Sequence, residues 1–302
     1  METPIGLSEI LSAQQPVDRT AMHKAIAEAE NKGRELSGNK SFLRQILSLI
    51  DLTTLEGKDT EKKVQAFCRK AKEVPSVFPG LPTVAAVCIY PALVETARKE
   101  LQGTTIQVAS VATGFPSGQL PLFLKAAEVK YAIEQGADEI DMVISRGKFL
   151  SGEYQAVYDE IKAIKDVCGN KLLKVILETG ELENMENIRL ASDIAIAAGA
   201  DFIKTSTGKI PQGASLEAVY VMLQAIRAHY KKTGRMVGIK PSGGISNAET
   251  AAHYIVLTET ILGKQWINNR LMRFGASSLA GNVLKLLTEE KNAAYFSSDS
   301  GY

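Results

Sequence analysis

The chain has 302 residues, of which 45% are apolar and 23% charged, with a formal net charge of +1. That length suits one large α/β barrel or two smaller domains. The near-neutral balance excludes a global basic field for nucleic acid or an anionic membrane, so any anion must be held by a local site. Cys68, Cys88 and Cys168 show no C-x-x-C spacing and read as free thiols of a reducing compartment. The histidines His23, His229 and His253 are scattered, which argues against a His-ligated metal; no metal is expected. The first residues lack a basic segment followed by an apolar one, and no apolar run reaches membrane-spanning length, so a cytoplasmic protein is expected.

In chain order, Thr20–Glu35 reads as an amphipathic helix with Met22, Ala25, Ile26 and Ala29 on one stripe, broken afterwards by Ser, Gly and Asn. Residues 1–40 are read as an N-terminal helical extension and 41–302 as the main body. Short runs rich in Val, Ile and Leu then alternate with helical patterns. Strands are predicted at Ile46–Leu52, Val84–Tyr90, Ile106–Thr113, Glu139–Ile144, Leu172–Glu178, Phe202–Thr205, Met236–Lys240 and Leu271–Phe274. Helices are predicted at Thr60–Lys72, Pro91–Leu101, Leu120–Gln135, Glu153–Val167, Met185–Ala198, Leu216–Tyr230, Ala248–Leu262 and Ser277–Leu287. Eight consecutive βα units predict a single (β/α)8 TIM barrel. A doubly wound open sheet stays open, although the G-x-G-x-x-G fingerprint of that class is missing.

The anomaly is charge inside strands that should be apolar. Asp51 ends ILSLID, Asp141 sits in EIDMVI, Lys174 and Glu178 sit in LLKVILE, Lys204 in DFIKTSTGK, and Lys240 ends MVGIK. Alternation puts Ile140, Met142 and Ile144 on one face and Asp141 on the other; Lys174 and Glu178 likewise oppose Leu173, Val175 and Leu177. The helix-facing side of a barrel strand is apolar, so these charges point inward. A buried ion costs several kcal/mol unless paired, so the group forms either a structural ion-pair network or an active site. Lys204 and Lys240 end neighbouring strands beside glycine-rich loops, at the end of a barrel where active sites are built.

Paired lysines imply specific chemistry. Burial and a second cation both lower a lysine pKa from about 10.4, freeing an amine for Schiff-base formation. A neighbouring carboxylate moves protons through the carbinolamine and imine steps. Lys204, Lys240 and Asp141 make such a trio if their strands adjoin. The loops Pro241–Gly244 and Gly275–Ser278, the second opening a helix, let backbone N–H groups approach a phosphate, with Gly208 and Lys209 beside them.

The string ADFIKTSTGK (200–209) resembles the Schiff-base motif of the deoxyribose-phosphate aldolases. DLTTL (51–55), AAVCIYP (85–91), GADEIDMV (136–143), LLKVILETGEL (172–182), GIKPSGGI (238–245) and RFGASS (273–278) are similar to that family in the same order. The resemblance implies that Lys204 forms the imine, that Lys240 depresses its pKa, and that Asp141 transfers protons with an ordered water. It places Thr207, Gly208, Lys209, Gly243, Gly244, Gly275, Ser277 and Ser278 at the substrate's phosphate and polar end. Asp51, Cys88 and Lys174 line the pocket by the same token, and Tyr302 folds over the site to assist proton exchange. No cofactor is implied, the partners are a small phosphorylated sugar and aldehydes, and the assembly is a monomer or homodimer. The reaction implied is reversible cleavage of 2-deoxy-D-ribose 5-phosphate to D-glyceraldehyde 3-phosphate and acetaldehyde. Rival readings are a Schiff-base aldolase for a ketose phosphate, a pyridoxal-phosphate enzyme and a non-catalytic phosphate-binding barrel.

Overall fold

The computed structural model describes residues 6–14, 16–288 and 295–296. The chain opens with three helices, α1 (Leu7–Ser12), α2 (Arg19–Leu36) and α3 (Lys40–Ser48). Asp18 caps α2 by accepting from the Ala21 N–H, and Asn39 caps α3 by accepting from Ser41 and Phe42. The buried stripe of α2 is Met22, Ile26, Ala29 and Gly33.

Eight βα units follow. The strands are β1 (Ile50–Thr53), β2 (Ala86–Ile89), β3 (Gln107–Ala112), β4 (Glu139–Val143), β5 (Leu172–Ile176), β6 (Phe202–Lys204), β7 (Gly238–Lys240) and β8 (Phe274–Ala276). The helices are α4 (Glu61–Val77), α5 (Val94–Glu100), α6 (Leu122–Glu134), α7 (Arg146–Leu150), α8 (Tyr154–Cys168), α9 (Met185–Ala197), α10 (Leu216–Thr233), α11 (Ala248–Leu262) and α12 (Leu279–Leu287). All neighbouring strands pair in parallel in the order β7-β6-β5-β4-β3-β2-β1-β8. Parallel bridges Ile239–Met272 and Ser242–Gly275 join the two ends of that order, so the sheet closes into the predicted (β/α)8 barrel.

The first strand differs from expectation. The apolar run from Ile46 serves two elements, because Leu43, Ile46 and Leu47 repeat at helical spacing and complete α3 behind the Asn39 cap. The strand begins only at Ile50, so Asp51 is its second residue and lies deeper in the barrel than a strand-ending position would put it. Helix α4 runs past the predicted end at Lys72 to Val77, with Pro75 in its last turn.

Alternation sorts the strand side chains into two sets. Ile140, Met142, Leu173, Val175, Ile203 and Ile239 join the large core between sheet and helices. Inside the barrel, Ala86, Cys88, Ala109 and Val111 with Leu55 form a separate small apolar cluster. These side chains from β2 and β3 are short. The long inward side chains of β4–β7 and β1 fill the space opposite them.

Candidate active site

The interior holds a connected set of buried charges. Asp141 on β4 stands in register with Lys174 on β5, and Lys204 on β6 with Lys240 on β7. Lys174 Nζ donates to Asp141 Oδ1 at 2.9 Å and to Glu139 Oε2 at 2.5 Å. Lys204 Nζ and Lys240 Nζ both donate to Asp141 Oδ2, at 2.8 and 2.7 Å. Lys240 also reaches Asp51 Oδ2 at 2.5 Å. Arg273, just before β8, closes the base of the set through Asp51 Oδ1 at 2.5 Å and Glu139 Oε1 at 2.7 Å.

This layout corrects the inward group in two ways. Glu139 and Arg273 belong to it. Glu178 does not: the chain leaves β5 at Ile176, and Glu178, buried and left-handed at φ 56°, turns to Thr207 and Arg146. The signal for Glu139 was present, since it shares parity with Asp141 in EIDMV.

Charge balance then singles out one lysine. Fully ionised, the set has three carboxylates against three lysines and Arg273, one positive charge in excess. Burial works to raise the Asp51 and Asp141 carboxyls, but the surrounding cations outweigh it and hold both well below the usual carboxylate range. Burial opposes the Lys240 ammonium too, yet Asp141 and Asp51 overcome it and push its pKa above the ordinary lysine value. Lys204 moves the other way: burial lowers its pKa, the Lys240 cation adds to that, and Asp141 is too shared to reverse it. Releasing the proton of Lys204 brings the set to neutrality.

Lys204 is also where the set meets the cleft. A cleft of about 750 Å³ opens at the C-terminal ends of the strands, and among the described residues of the set only Lys204 lines it. Asp51, Asp141, Lys174 and Lys240 lie beneath its floor, each fully buried. Cys88 is there as well, with Sγ 3.9 Å from Asp141 Oδ2 and its thiol pKa raised by burial and by that carboxylate. Thr207, Gly208, Lys209, Gly243, Gly244, Gly275, Ser277 and Ser278 all line the cleft, so the structure gathers these residues on one rim. Tyr302 lies outside the described residues.

The rim is built for close backbone approach. Gly208 and Gly243 adopt φ of 75° and 84°, a region that favours glycine. Gly213 packs against the Gly243 backbone so tightly that a Cβ would fall 2.3 Å from the Gly243 carbonyl oxygen. Ser278 caps α12 without a side-chain hydrogen bond, unlike Asp18, Asn39, Thr60, Asn184, Ser215 and Asn247 at other helices. The first N–H groups of a helix have no partner within it, and a partial positive charge collects there. Backbone geometry of this kind is suited to receiving an anion, and it lies on the same cleft as Lys204. Across the cleft, Lys209 Nζ pairs with Glu56 Oε1 at 2.9 Å.

Residues 45–277 match the DeoC/LacD family aldolase model. The deoxyribose-phosphate aldolase of Homo sapiens is 42% identical over 265 residues, covering 84% of this chain and 83% of that protein. Its counterpart from Mus musculus is 43% identical over the same coverage. Among solved structures, deoxyribose phosphate aldolase from Aeropyrum pernix, described as a unique tetramer, superposes with a TM-score of 0.67 at 25% identity over 89% of this chain and 98% of that one. An aldolase designated QR15 gives a TM-score of 0.67 at 31% identity over 81% and 96%. No helix among the described residues is long and apolar enough to cross a membrane.

Proposed function

The chain belongs to the DeoC/LacD aldolase family, whose activity is retro-aldol cleavage, and on that footing we propose that it cleaves 2-deoxy-D-ribose 5-phosphate through an imine on Lys204. The supporting observation is the shared contact of Lys204 and Lys240 with Asp141 Oδ2 below the glycine- and serine-lined rim of the cleft.

The free amine of Lys204 adds to the C1 aldehyde of the open-chain sugar. Loss of water gives a protonated imine that serves as the electron sink. A water held by Asp141 and Lys240 takes the proton of the C3 hydroxyl as the C2–C3 bond breaks, releasing D-glyceraldehyde 3-phosphate. The enamine left on Lys204 is protonated at C2, and hydrolysis of the imine gives acetaldehyde. Lys240 stays an ammonium throughout, which keeps Asp141 a carboxylate and repels a proton from Lys204.

Gly208, Gly243, Gly244, Gly275, Ser277 and Ser278 receive the phosphate, with Thr207 and Lys209 at its side. Asp51 and Lys174 hold the charges beneath the imine, and Cys88 packs beside Asp141. Tyr302 is assigned to proton exchange at the enamine carbon on the family resemblance. Residues 1–40 form an extension outside the family match, which begins at residue 45. A cytoplasmic location fits the free, buried Cys68, Cys88 and Cys168. The assembly assigned is a monomer or homodimer.

Product analysis tests the reading. Incubation with 2-deoxyribose 5-phosphate is expected to release acetaldehyde and glyceraldehyde 3-phosphate in equal amounts. Release of dihydroxyacetone phosphate from a ketose phosphate, with no turnover of the deoxy sugar, would assign another substrate.

A further inference from the structure

Arg146 and Glu178 lie outside the lysine cluster, yet they connect four successive loops at the mouth of the barrel. Arg146 opens the segment after β4. Its Nη2 donates to the Pro116 and Ser117 carbonyl oxygens in the loop after β3, at 3.1 and 2.9 Å. Its Nη1 reaches Glu178 Oε2 at 3.2 Å in the loop after β5, and its Nε faces Glu181 Oε2 at 3.2 Å. Glu178 in turn accepts from the backbone N–H of Thr207 in the loop after β6, at 3.2 Å, and from the Thr207 hydroxyl.

The Thr207 hydroxyl fixes the direction of this chain of bonds. Because Oγ1 donates its proton to the Glu178 carboxylate, its lone pairs remain for the Lys209 N–H, which it accepts at 3.1 Å. The turn Thr207–Gly208–Lys209 is thereby clamped on both sides of Gly208. Glu178 is held left-handed, at φ 56°, and fully buried to do this; such backbone geometry is strained and persists where surroundings enforce it. The segment bearing Arg146 is anchored from behind as well. The preceding Ser145 donates to Glu160, which is paired with the buried Lys125 at 2.9 Å.

We infer that Arg146 and Glu178 are positioning residues that hold the Thr207–Gly208–Lys209 turn in its anion-receiving shape and so set affinity for the phosphate end of the substrate. The inference rests on the phosphate assignment of that rim. The carboxylate presents only acceptors to these donors: Oε2 takes the Thr207 O–H and Arg146, and Oε1 the shorter contact from the Thr207 N–H. Glu178→Gln, of the same shape, presents an amide donor to at least one of them.

The test compares Glu178→Gln and Arg146→Met with the parent on 2-deoxyribose 5-phosphate, on unphosphorylated 2-deoxyribose and on inorganic phosphate as a binding probe. Losing an ordered charge-assisted contact is worth about tenfold. We expect KM for the phosphorylated sugar and Kd for phosphate to rise about tenfold or more in both variants. KM for 2-deoxyribose and imine formation with acetaldehyde should stay within about threefold. Arg146, whose side chain is 13% exposed where Glu178 is fully buried, supplies the second variant should the Glu178 variant fold poorly. A purely structural role would lower kcat on both sugars in equal proportion, and either that result or unchanged phosphate affinity overturns the inference. A parent that binds phosphate but releases no acetaldehyde refutes the aldolase assignment while leaving the clamp to be judged by phosphate Kd alone.

Discussion

Lys204 and Lys240 are register partners on adjacent strands, and their ammonium nitrogens converge on one oxygen of Asp141. The two lysines nonetheless differ in environment. Lys240 has Asp51 as a second carboxylate at 2.5 Å, whereas Lys204 has the edge of the cleft. Proton loss is therefore favoured at Lys204, while the two carboxylates hold Lys240 as a cation.

A pH dependence follows from that difference. The Lys204 pKa is lowered by burial and then by Lys240, so the amine loses its proton below the ordinary lysine value of about 10.4. Below its pKa the ammonium cannot attack, so kcat/KM should rise with pH through that pKa and level off above it. Lys240→Met removes the repelling cation and leaves Asp51 and Asp141 less neutralised. The rising limb should move to higher pH and neutral-pH activity should fall about 100-fold or more. A pH–rate profile checks both, and an unmoved limb would contradict the pairing.

Lys204→Leu should abolish turnover and leave stability nearly unchanged. The substitution removes the one charge in excess, and Asp141 keeps Lys174 and Lys240 as partners, so no ion is stranded. Thermal unfolding should show a shift equivalent to no more than about 1 kcal/mol.

Arg273→Met should behave in the opposite way. Its guanidinium spans Asp51 and Glu139 and lies over the Phe202 ring at 5.9 Å. Burial alone would lower its pKa, but the two carboxylates raise it beyond the usual arginine range. Removing it breaks a buried network and should cost about 3–5 kcal/mol in urea unfolding. A loss under about 1 kcal/mol would show that Lys174 and Lys240 neutralise the base by themselves.

Much of this was legible in the sequence, and the failures have physical causes. The eight βα units follow from periodicity, and the inward charges of β4 to β7 follow from alternation. Glu139 obeys the same alternation, two residues before Asp141 on β4. Arg273 precedes a three-residue strand, too short for parity to fix its direction. Alternation predicts Glu178 inward, but it holds only to Ile176, where β5 ends, and Glu178 itself is left-handed. At β1 a single apolar run continued from helix to strand, and period alone does not divide it.

Gly213→Ala tests the rim independently of the lysines. The added Cβ would sit 2.3 Å from Gly243 O and 2.4 Å from Gly243 C, which are backbone and must shift. The Gly243–Gly244 turn should open, raising KM for the phosphorylated sugar about tenfold with a smaller change in kcat. Steady-state kinetics on phosphorylated and free 2-deoxyribose would separate this from general damage.

Borohydride reduction in the presence of acetaldehyde, followed by peptide mapping, tests the nucleophile most directly. The account predicts one reduced two-carbon adduct, on Lys204, with loss of activity in step with labelling and no adduct on the buried Lys174 or Lys240. A protein that stays active and unlabelled, or that carries the adduct on Lys240 instead, would contradict it.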